Sequence, residues 1–355
     1  MTTLLQGLRL DELEALCRNA GESAFRGRQL WDWLQKAGAL SWDAKCNVPK
    51  RLLERLRSDG YEVAAATPLA ESADATGTTK WLLRLHDGET VETVRIPGGA
   101  GRTTVCVSTQ VGCKMGCAFC ATGKSGFARS LQAGEIVAQV HVVAAAQGGV
   151  RPDNVVFMGM GEPFDNYDEV LRAIRILNDP AGLGIGARKM TLSTCGLVPG
   201  IRRLADEGLQ VELSVSLHAP DPAIRRRLMP VERRWPMDEL LATCAAYTAK
   251  TKRLVTFEYT LVAGLNDRPE HADELARRLR TFPCRVNLIP LSPVEGFDGA
   301  APSRDDVQAF LRRLARRGVE GTVRESKGKG VDGACGQLRR RAAPPPPPPS
   351  PQETP

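Results

Sequence analysis

Three cysteines in one short segment of this 355-residue chain form its best candidate for metal chemistry. They are Cys113, Cys117 and Cys120, with the spacing C-x3-C-x2-C. Thiolates this close together can hold an iron–sulfur cube, and a four-iron cluster needs four ligands. A loop that supplies only three leaves one iron with an open position, where a substrate or cofactor can bind. With this spacing the open iron usually takes S-adenosylmethionine, which the cluster cleaves to give a carbon radical.

The alternative for the same cysteines is a structural zinc site with Cys106 as the fourth ligand. Structural zinc sites usually consist of two close pairs of ligands. The six residues between Cys106 and Cys113 make a wide gap for one such pair. The spacing therefore favours the iron–sulfur interpretation, with zinc as its alternative.

Composition predicts a globular protein of a reducing compartment. Hydrophobic residues make up 42% of the chain, and its length allows one large core plus a small extra domain. No apolar run reaches membrane-spanning length, and the first residues show no signal peptide. Ten cysteines without a secretory signal indicate metal or redox use. We therefore expect a cytoplasmic protein without a membrane partner.

The charge balance permits a nucleic-acid partner without proving one. There are 48 Lys and Arg residues against 41 Asp and Glu residues, a net charge of +7. The arginines are clustered at residues 225–227, 233–234, 312–317 and 339–341. The 312–317 cluster is typical of a solvated helix face. The stretch from Arg225 to Arg234, which contains Pro230 and precedes Trp235, suits either phosphate contact or simple solvation.

The periodicity of apolar residues divides the chain into four parts. Residues 1–75 are predicted to form a small helical accessory domain that binds RNA, and residues 76–102 a β-hairpin turning at Asp87-Gly88. Residues 103–338 form the main domain. Residues 339–355, which include a polyproline run, are predicted to be disordered.

The main domain alternates between strand and helix patterns. Six strands are predicted, at Thr104–Ser108, Asn154–Met158, Lys189–Ser193, Val211–Leu217, Leu254–Leu261 and Cys284–Ile289. The helices between and after them lie near 134–148, 167–178, 199–208, 237–250, 269–281 and 303–317. Repeated strand–helix units indicate a parallel sheet. Six strands fall short of a closed eight-stranded barrel, so we expect an open, partial β/α barrel, with a doubly wound flat sheet as the alternative.

Polar residues follow these strands where a parallel barrel places its chemistry. They are Gly161 and Glu162 after strand two, Ser193 in strand three, Ser216, Leu217 and His218 in strand four, and Asn287 near the end of strand six. Each has an ordinary structural explanation: a helix N-terminal acid, a small polar strand end, or a satisfied structural histidine. Together they suit the ammonium, carboxylate and ribose of S-adenosylmethionine.

Over residues 5 to about 340 the chain resembles the RlmN/Cfr family of radical S-adenosylmethionine RNA adenine methyltransferases. The motifs that carry the resemblance are Cys106-Val-Ser-Thr-Gln-Val-Gly-Cys113, the cluster segment ending in Ala121-Thr-Gly, Phe157-Met-Gly-Met-Gly-Glu-Pro, Leu192-Ser-Thr, Ser216-Leu-His-Ala-Pro and Asp332-Gly-Ala-Cys335-Gly-Gln-Leu. The resemblance implies the partial barrel, one [4Fe-4S] cluster on Cys113, Cys117 and Cys120, and two S-adenosylmethionine molecules per turnover.

The resemblance also implies a mechanism. Cys335 takes a methyl group from the first S-adenosylmethionine. Cleavage of the second gives a radical that removes a hydrogen from this methyl, whose carbon then adds to the adenine. Glu92 matches the family's general base, although from sequence alone it would be an exposed acid on an edge strand. Cys106 then releases the product by forming a disulfide with Cys335. Cys17, Cys46, Cys195, Cys244 and Cys284 have no matched role and are expected to pack as small apolar groups.

Local motifs favour the RlmN branch, which methylates carbon 2 of adenine, over the Cfr branch, which methylates carbon 8. They are Gly161-Glu-Pro-Phe and Asn287-Leu-Ile-Pro. The expected substrate is 23S ribosomal RNA, with transfer RNA as a further candidate. We expect a monomer that receives electrons from a low-potential donor such as flavodoxin or ferredoxin. Two features depart from the family pattern: Ser292 replaces an asparagine, and the segment after Ile96 is rich in glycine. Other hypotheses are a radical enzyme that modifies a peptide or protein, and a zinc-stabilised RNA-binding module without catalysis.

Overall fold

The computed structural model describes residues 3–63, 65–324 and 327–338. The arginines at 339–341 and the tail predicted to be disordered, 339–355, lie outside the described residues.

The elements of the chain follow one another from an N-terminal helical region into a long series of strands and helices. The strands are β1 Thr3–Leu4, β2 Tyr61–Glu62, β3 Ala66–Ala73, β4 Thr79–Leu85, β5 Thr90–Pro97, β6 Thr103–Cys106, β7 Gln110–Gly112, β8 Phe127–Ser130, β9 Asn154–Phe157, β10 Met190–Thr194, β11 Glu212–Ser216, β12 Val255–Leu261, β13 Cys284–Pro290 and β14 Glu320–Val323. The helices are α1 Leu10–Asn19, α2 Ala24–Trp31, α3 Lys50–Ser58, α4 Ala121–Lys124, α5 Ala133–Ala146, α6 Tyr167–Asn178, α7 Val198–Leu204, α8 Pro222–Leu228, α9 Met237–Thr251, α10 Pro269–Leu279 and α11 Arg304–Arg316.

One ten-stranded sheet forms the centre of the molecule, in the order β14-β13-β12-β11-β10-β9-β6-β5-β4-β3. The seven strands from β6 to β14 in this series are parallel, and β5, β4 and β3 continue the sheet in antiparallel pairing. The outermost strands β3 and β14 do not pair with each other, so the barrel is open. The predicted open, partial barrel is confirmed, and its six predicted strands all form.

The seventh parallel strand, β14, was not predicted. Its four residues read Glu-Gly-Thr-Val, and none of them is fully buried. A short edge strand with a polar composition gives almost no alternating signal, because its formation depends on the hydrogen bonds that β13 offers.

Helix α5 shows how the layers stack. Twelve of its fourteen residues are buried, so the helix is enclosed around nearly its whole circumference, although Glu135, Gln139 and His141 are among the buried residues. A helix of this kind must be covered on all sides. The sheet, α6 and the N-terminal turn Leu5–Gly7 cover it. Burying each valine or isoleucine side chain of α5 contributes about 1.5–3 kcal/mol.

The N-terminal helices are joined to the barrel through α5. Gly7 lies so close to Gly134 that a Cβ at Gly7 would meet the Gly134 nitrogen at 2.8 Å. Gln35 donates to the carbonyl of Gln6 at 3.0 Å and forms a 3.1 Å hydrogen bond with Nε2 of His141. Burial lowers the pKa of His141 to about 4, so this bond involves a neutral ring.

The predicted hairpin forms from β4 and β5 but is not a separate linker. It gains a third strand, β3, which begins within the range expected for the helical domain, and β5 pairs with β6 with Val94 opposite Cys106. Strand β5 therefore lies inside the sheet, and Glu92 is only 1% exposed. The view of Glu92 as an exposed acid on an edge strand is wrong. Within the described ranges, no helix combines the length and apolar character needed to cross a membrane.

Candidate active site

The cysteine segment forms a loop between β7 and α4 that is supported at two points. The amide of Ala118 donates to the carbonyl of Leu228 at 2.9 Å, and the amide of Ala121 donates to the carbonyl of Gly336 at 2.7 Å. Cys113, Cys117 and Cys120 are half-buried and all line one cavity. Burial raises the pKa of Cys113 to about 12 and holds that of Cys117 well above its ordinary value, so these two free thiols keep their protons at neutral pH. A metal that binds here must displace those protons.

This first cavity, of about 160 Å³, lies where the parallel strands end. Of the residues predicted to hold S-adenosylmethionine, five line it: Gly161, Glu162, Ser193, Ser216 and His218. Their convergence follows from the parallel register, which brings the ends of β9, β10 and β11 to one edge. The structure therefore brings together the three thiols and five polar or glycine positions.

Glu162 is the buried carboxylate of this cavity. Its side chain accepts from the amide of Phe164 at 3.0 Å and from the amide of Cys195 at 2.7 Å. Burial raises the pKa of Glu162, and these amide hydrogen bonds oppose the rise. A cationic group in the cavity would favour the ionised form, so the site suits an ammonium ligand. Gly161, at a φ of +104°, leaves no room for a Cβ, which would meet the side chain of Gln110 at 2.6 Å.

His218 is held as a neutral hydrogen-bond donor. Its Nδ1 accepts from the amide of Thr260 at 2.8 Å, so the proton of the neutral ring is on Nε2. Burial, together with the nearby charge of Arg225, lowers the pKa of His218 to about 3. The residue has a φ of +55°, and its carbonyl accepts from Asn266 at 2.9 Å. His218 therefore suits ligand binding better than proton transfer at neutral pH.

Two residues predicted for the same ligand do not line the cavity. Leu217 is fully buried in the core, and its amide donates to the carbonyl of Glu258 at 3.0 Å. Asn287 donates to Oε1 of Glu258 at 3.1 Å and accepts from Thr322 at 2.5 Å. Asn287 is thus placed behind Glu258, where it orients that carboxylate.

Cys106 and Cys335 line a second cavity together with Ile96, Met158 and Arg324. Cys335, Met158 and Arg324 also line the first cavity, so the two cavities share a wall. Cys106 ends strand β6 and is buried, and this burial raises its pKa to about 12. Cys335 lies in a loop and is exposed. The fold thus places two chemically identical groups in opposite surroundings at one cavity.

Glu92 is not among the described residues that line either cavity. Its carboxylate forms a buried ion pair with Lys80 at 3.1 Å. The same ammonium donates to the carbonyl of Asp332 at 3.2 Å, three residues before Cys335. Lys80 therefore links the carboxylate of Glu92 to the loop that carries Cys335.

Comparisons with known proteins agree with this arrangement. Residues 107–278 match the model of the radical SAM superfamily, and residues 3–61 match that of the ribosomal RNA large subunit methyltransferase N-terminal domain. The chain is 46% identical to the probable dual-specificity RNA methyltransferase RlmN of Symbiobacterium thermophilum, over 94% of this chain and 91% of that protein. It is 48% identical to the protein described in the same words from Gloeobacter violaceus, over 96% of each chain.

A solved structure, that of a radical SAM methyltransferase from Sphaerobacter thermophilus, superposes with a TM-score of 0.91. It has 46% sequence identity and covers 95% of this chain and 99% of its own. The chain belongs to the RlmN family. This family lies within the radical SAM superfamily, as the resemblance predicted.

Two charged residues of this RlmN-family site were missed at the sequence level. Glu258 on β12 lines the first cavity and is 4% exposed; its Oε1 accepts from Ser214 at 3.2 Å, and its Oε2 lies 3.9 Å from Arg324. Burial raises the pKa of Glu258. A single carboxylate within the apolar run Val255–Leu261 was the available signal. Arg324 follows the unpredicted strand β14, so no pattern pointed to it.

The arginine segment after α8 needs one correction. Arg225, predicted to be one of several exposed arginines, is fully buried. Its guanidinium pairs with Glu232 at 2.5 Å and donates to the carbonyl of Cys195, a wall residue of the first cavity, at 2.7 Å. A charged group this deep must be paired, so Arg225 cannot reach a phosphate. The other arginines of the segment are exposed: Arg226, Arg227, Arg233 and Arg234.

Proposed function

We propose that this chain methylates carbon 2 of an adenine in 23S ribosomal RNA, and of an adenine in transfer RNA, through a methylated cysteine. The observation that carries the proposal is the pair of thiols, Cys106 and Cys335, at a cavity that shares a wall with the cavity of the cysteine loop. An enzyme that only generated a radical on a peptide would need neither thiol. The names of the curated relatives, which call them dual-specificity RNA methyltransferases, support the two substrates.

The donor set fits a four-iron cluster that lacks one protein ligand. Three cysteines from one loop open into a cavity that also offers a carboxylate, hydroxyls and a neutral imidazole. Cys113, Cys117 and Cys120 would hold the cluster, and Gly161, Glu162, Ser193, Ser216 and His218 would hold S-adenosylmethionine. When bound, the cluster would supply the electron that cleaves this sulfonium to a carbon radical.

Cys335 is the proposed nucleophile toward the methyl group. It is exposed, and it lines both cavities, so its sulfur can meet a sulfonium on one side and an RNA base on the other. Its thiolate takes the methyl group, and the thioether of the donor leaves with the electron pair of the broken bond. Carbon 2 of adenine is electron-poor, so loss of a hydrogen from this methyl must precede bond formation to the ring.

Cys106 is the proposed resolving group. After the adduct has lost the ring proton and one electron, which the oxidised cluster would accept, the sulfur of Cys106 attacks the sulfur of Cys335. The carbon–sulfur bond breaks, its electron pair stays on the methylene carbon, which takes up a proton to become the methyl group of the product, and a disulfide remains. Because burial raises its pKa to about 12, Cys106 stays protonated until a base acts, which prevents early disulfide formation. Glu92 is the proposed base for the ring proton, supported by its Lys80-mediated link to the Cys335 loop.

The remaining proposals concern the setting of the reaction. We infer a cytoplasmic monomer that receives electrons from a low-potential donor such as flavodoxin or ferredoxin and uses two S-adenosylmethionine molecules per turnover. The helical accessory domain, residues 1–75, is proposed to contact RNA.

The test is nucleoside mass spectrometry with chromatographic standards. Cluster-loaded protein receives S-adenosylmethionine, a reductant and 23S RNA under anaerobic conditions. We expect 2-methyladenosine. Formation of 8-methyladenosine would move the chain to the carbon-8 activity, and no methyladenosine with an intact cluster would overturn the substrate assignment. Colourless protein with tightly bound zinc would favour the non-catalytic alternative.

A further inference from the structure

Four exposed arginines form a ridge beside the cysteine loop. They are Arg226 and Arg227 of α8, with Arg233 and Arg234 on the turn that follows; we call them the arginine ridge. Other surface arginines, such as Arg203 and Arg313, pair with carboxylates. Within the described parts of the chain, no member of the ridge forms an ion pair. The ridge thus presents positive charge that the described residues do not neutralise.

The segment that carries the ridge is attached directly to the cysteine loop, through Leu228 and Pro230. The carbonyl of Leu228, the last residue of α8, accepts from the amide of Ala118 at 2.9 Å. Pro230 lies against Gly116, where an added Cβ would be 3.8 Å from the proline ring. In the loop itself, Lys114 and Gly116 are exposed. The ridge therefore borders the part of the cysteine loop that is open to solvent.

Arg225 and Glu232 hold this segment rigid from beneath. Their buried ion pair joins α8 to the following turn, and Glu232 also accepts from the amide of Met237 at 3.0 Å. Because Arg225 and Glu232 are both buried, breaking their pair would leave an unpaired charge in the interior, so the two parts of the ridge keep a fixed relation. Preorganised charge of this kind favours rapid, specific encounter with an oppositely charged partner.

Cys335, the proposed acceptor of the methyl group, lies beside residues 119–121 of the cysteine loop. Cys335 precedes Gly336, whose carbonyl accepts from the amide of Ala121 at 2.7 Å. The segment that carries the ridge contacts the loop at residues 116–118, and the Cys335 segment contacts it at residues 119–121. The two segments thus meet neighbouring parts of the loop through different contacts.

We propose that the arginine ridge is the docking surface of the protein that delivers electrons, a small acidic carrier with a low-potential flavin or iron–sulfur centre. This inference rests on the proposed function, because only a redox cluster in the loop needs such a partner. One electron passes from the reduced carrier to the cluster before S-adenosylmethionine is cleaved, and the carrier leaves oxidised by one electron. Electron transfer weakens steeply with distance, so a carrier must dock where the loop reaches the surface.

An electron carrier fits the ridge better than RNA does. Single-stranded RNA is usually bound by arginines together with free aromatic faces on which bases stack. The aromatic residue of the ridge segment, Trp235, is half-buried and carries the guanidinium of Arg234 over its ring at 4.7 Å. Phe127, beside the cysteine loop, carries the ammonium of Lys114 over its ring at 5.1 Å. Electron-transfer encounters use small, charged surfaces and remain weak. Charge without a stacking platform matches that pattern.

The test compares two double variants with the same change of charge. Arg226→Glu/Arg233→Glu reverses the ridge. Arg312→Glu/Arg316→Glu reverses two exposed arginines on α11 that form no ion pair with the described residues. This helix packs against β13, β14 and α10. Cluster-loaded wild type and both variants are tested for affinity toward an acidic flavodoxin and an acidic two-iron ferredoxin. We also measure the rate at which flavodoxin hydroquinone reduces the cluster. Two further measurements are the rate of S-adenosylmethionine cleavage with dithionite as the reductant and the affinity for a 23S RNA fragment.

We expect the ridge variant to bind flavodoxin or ferredoxin about tenfold more weakly at low salt, and its reduction by the carrier to slow correspondingly. The difference should shrink in about 1 M salt, where screening is nearly complete. Dithionite-driven cleavage and RNA affinity should match wild type, and the α11 variant should match wild type throughout.

Three results would overturn the inference. The first is equal carrier affinity in the wild type and the ridge variant, and the second is a wild type that binds neither carrier. The third is a ridge variant that loses RNA affinity while it still binds the carrier, which would assign the ridge to RNA. A wild type that binds carriers but methylates no RNA would count against the proposed function alone, since carrier binding is measured without RNA.

Discussion

The two adjoining cavities are built from different parts of the fold. The first is lined by residues at the ends of parallel strands, and its polar side chains are held by backbone amides, as Glu162 is by Cys195 and His218 by Thr260. The second combines two strand residues, Ile96 and Cys106, with a C-terminal loop that carries Cys335. This loop is held by contacts such as that between Ala121 and Gly336.

The difference fits the chemistry proposed for each side. Binding a cofactor in one orientation requires side chains that do not move, which strand ends provide. A sulfur that meets a methyl donor, an RNA base and a second thiol must be reachable from several directions, which a loop provides. The contrast is sharpest between Cys106 and Cys335, whose thiols are the same and whose exposure differs.

The largest effect is expected from Cys335→Ala. If the loop thiol accepts the methyl group, this change abolishes methylation, because no other exposed thiol lies at the shared wall of the described cavities. The cluster should be retained, since Cys335 is not among its proposed ligands. Visible absorbance and nucleoside mass spectrometry measure both outcomes. Cys46→Ala is the matched control, and wild-type-like methylation by Cys335→Ala would disprove the role.

Cys106→Ala should stop the reaction at a later point. The methyl carbon would still join the RNA, but without the buried thiol the product cannot leave, so a covalent RNA–protein adduct should accumulate. Denaturing electrophoresis with labelled RNA detects it, and the double variant Cys106→Ala/Cys335→Ala should form none. Normal turnover by Cys106→Ala would show that release takes another route.

Lys80→Met tests the link between Glu92 and the Cys335 loop. The side chains of Lys80 and Glu92 are 8% and 1% exposed, so removing one partner leaves a buried charge without this ion pair. We expect the free energy of unfolding to fall by about 3 kcal/mol, measured by denaturant titration. Arg9→Met, at an exposed ion pair, should change it by less than about 1 kcal/mol. Equal effects of the two changes would contradict the importance of burial.

Alkylation should separate the two thiols by pH. Only the thiolate reacts, and burial raises the pKa of Cys106 to about 12. Since pH 7 to 10 lies below this pKa, the reactive fraction of Cys106 should rise about tenfold with each pH unit across that window. Peptide mass spectrometry after brief iodoacetamide treatment of protein without RNA measures both sites. Faster alkylation of Cys106 than of Cys335 at pH 7 would contradict the contrast in exposure.

Much of the fold could be predicted because strand and helix periods are local. The six central strands and the cysteine segment of the site came from spacing and alternation alone. The orientation of Asn287 toward Glu258, the burial of Arg225 and the interior position of Glu92 could not, because each depends on which strand or helix lies opposite. Strand β3 shows the same limit: it pairs with β4 although Glu71, Ser72 and Ala73 are exposed.

The close approach of Gly7 to Gly134 has a practical consequence for truncation experiments. Because the N-terminal turn lies on α5, a helix that is buried on every side and rich in alanine and valine, a barrel expressed without its first residues would expose part of this buried surface to water. Such a fragment would tend to aggregate. Its inactivity would result from the loss of the turn that packs against α5, and would not show whether the missing helices contact RNA.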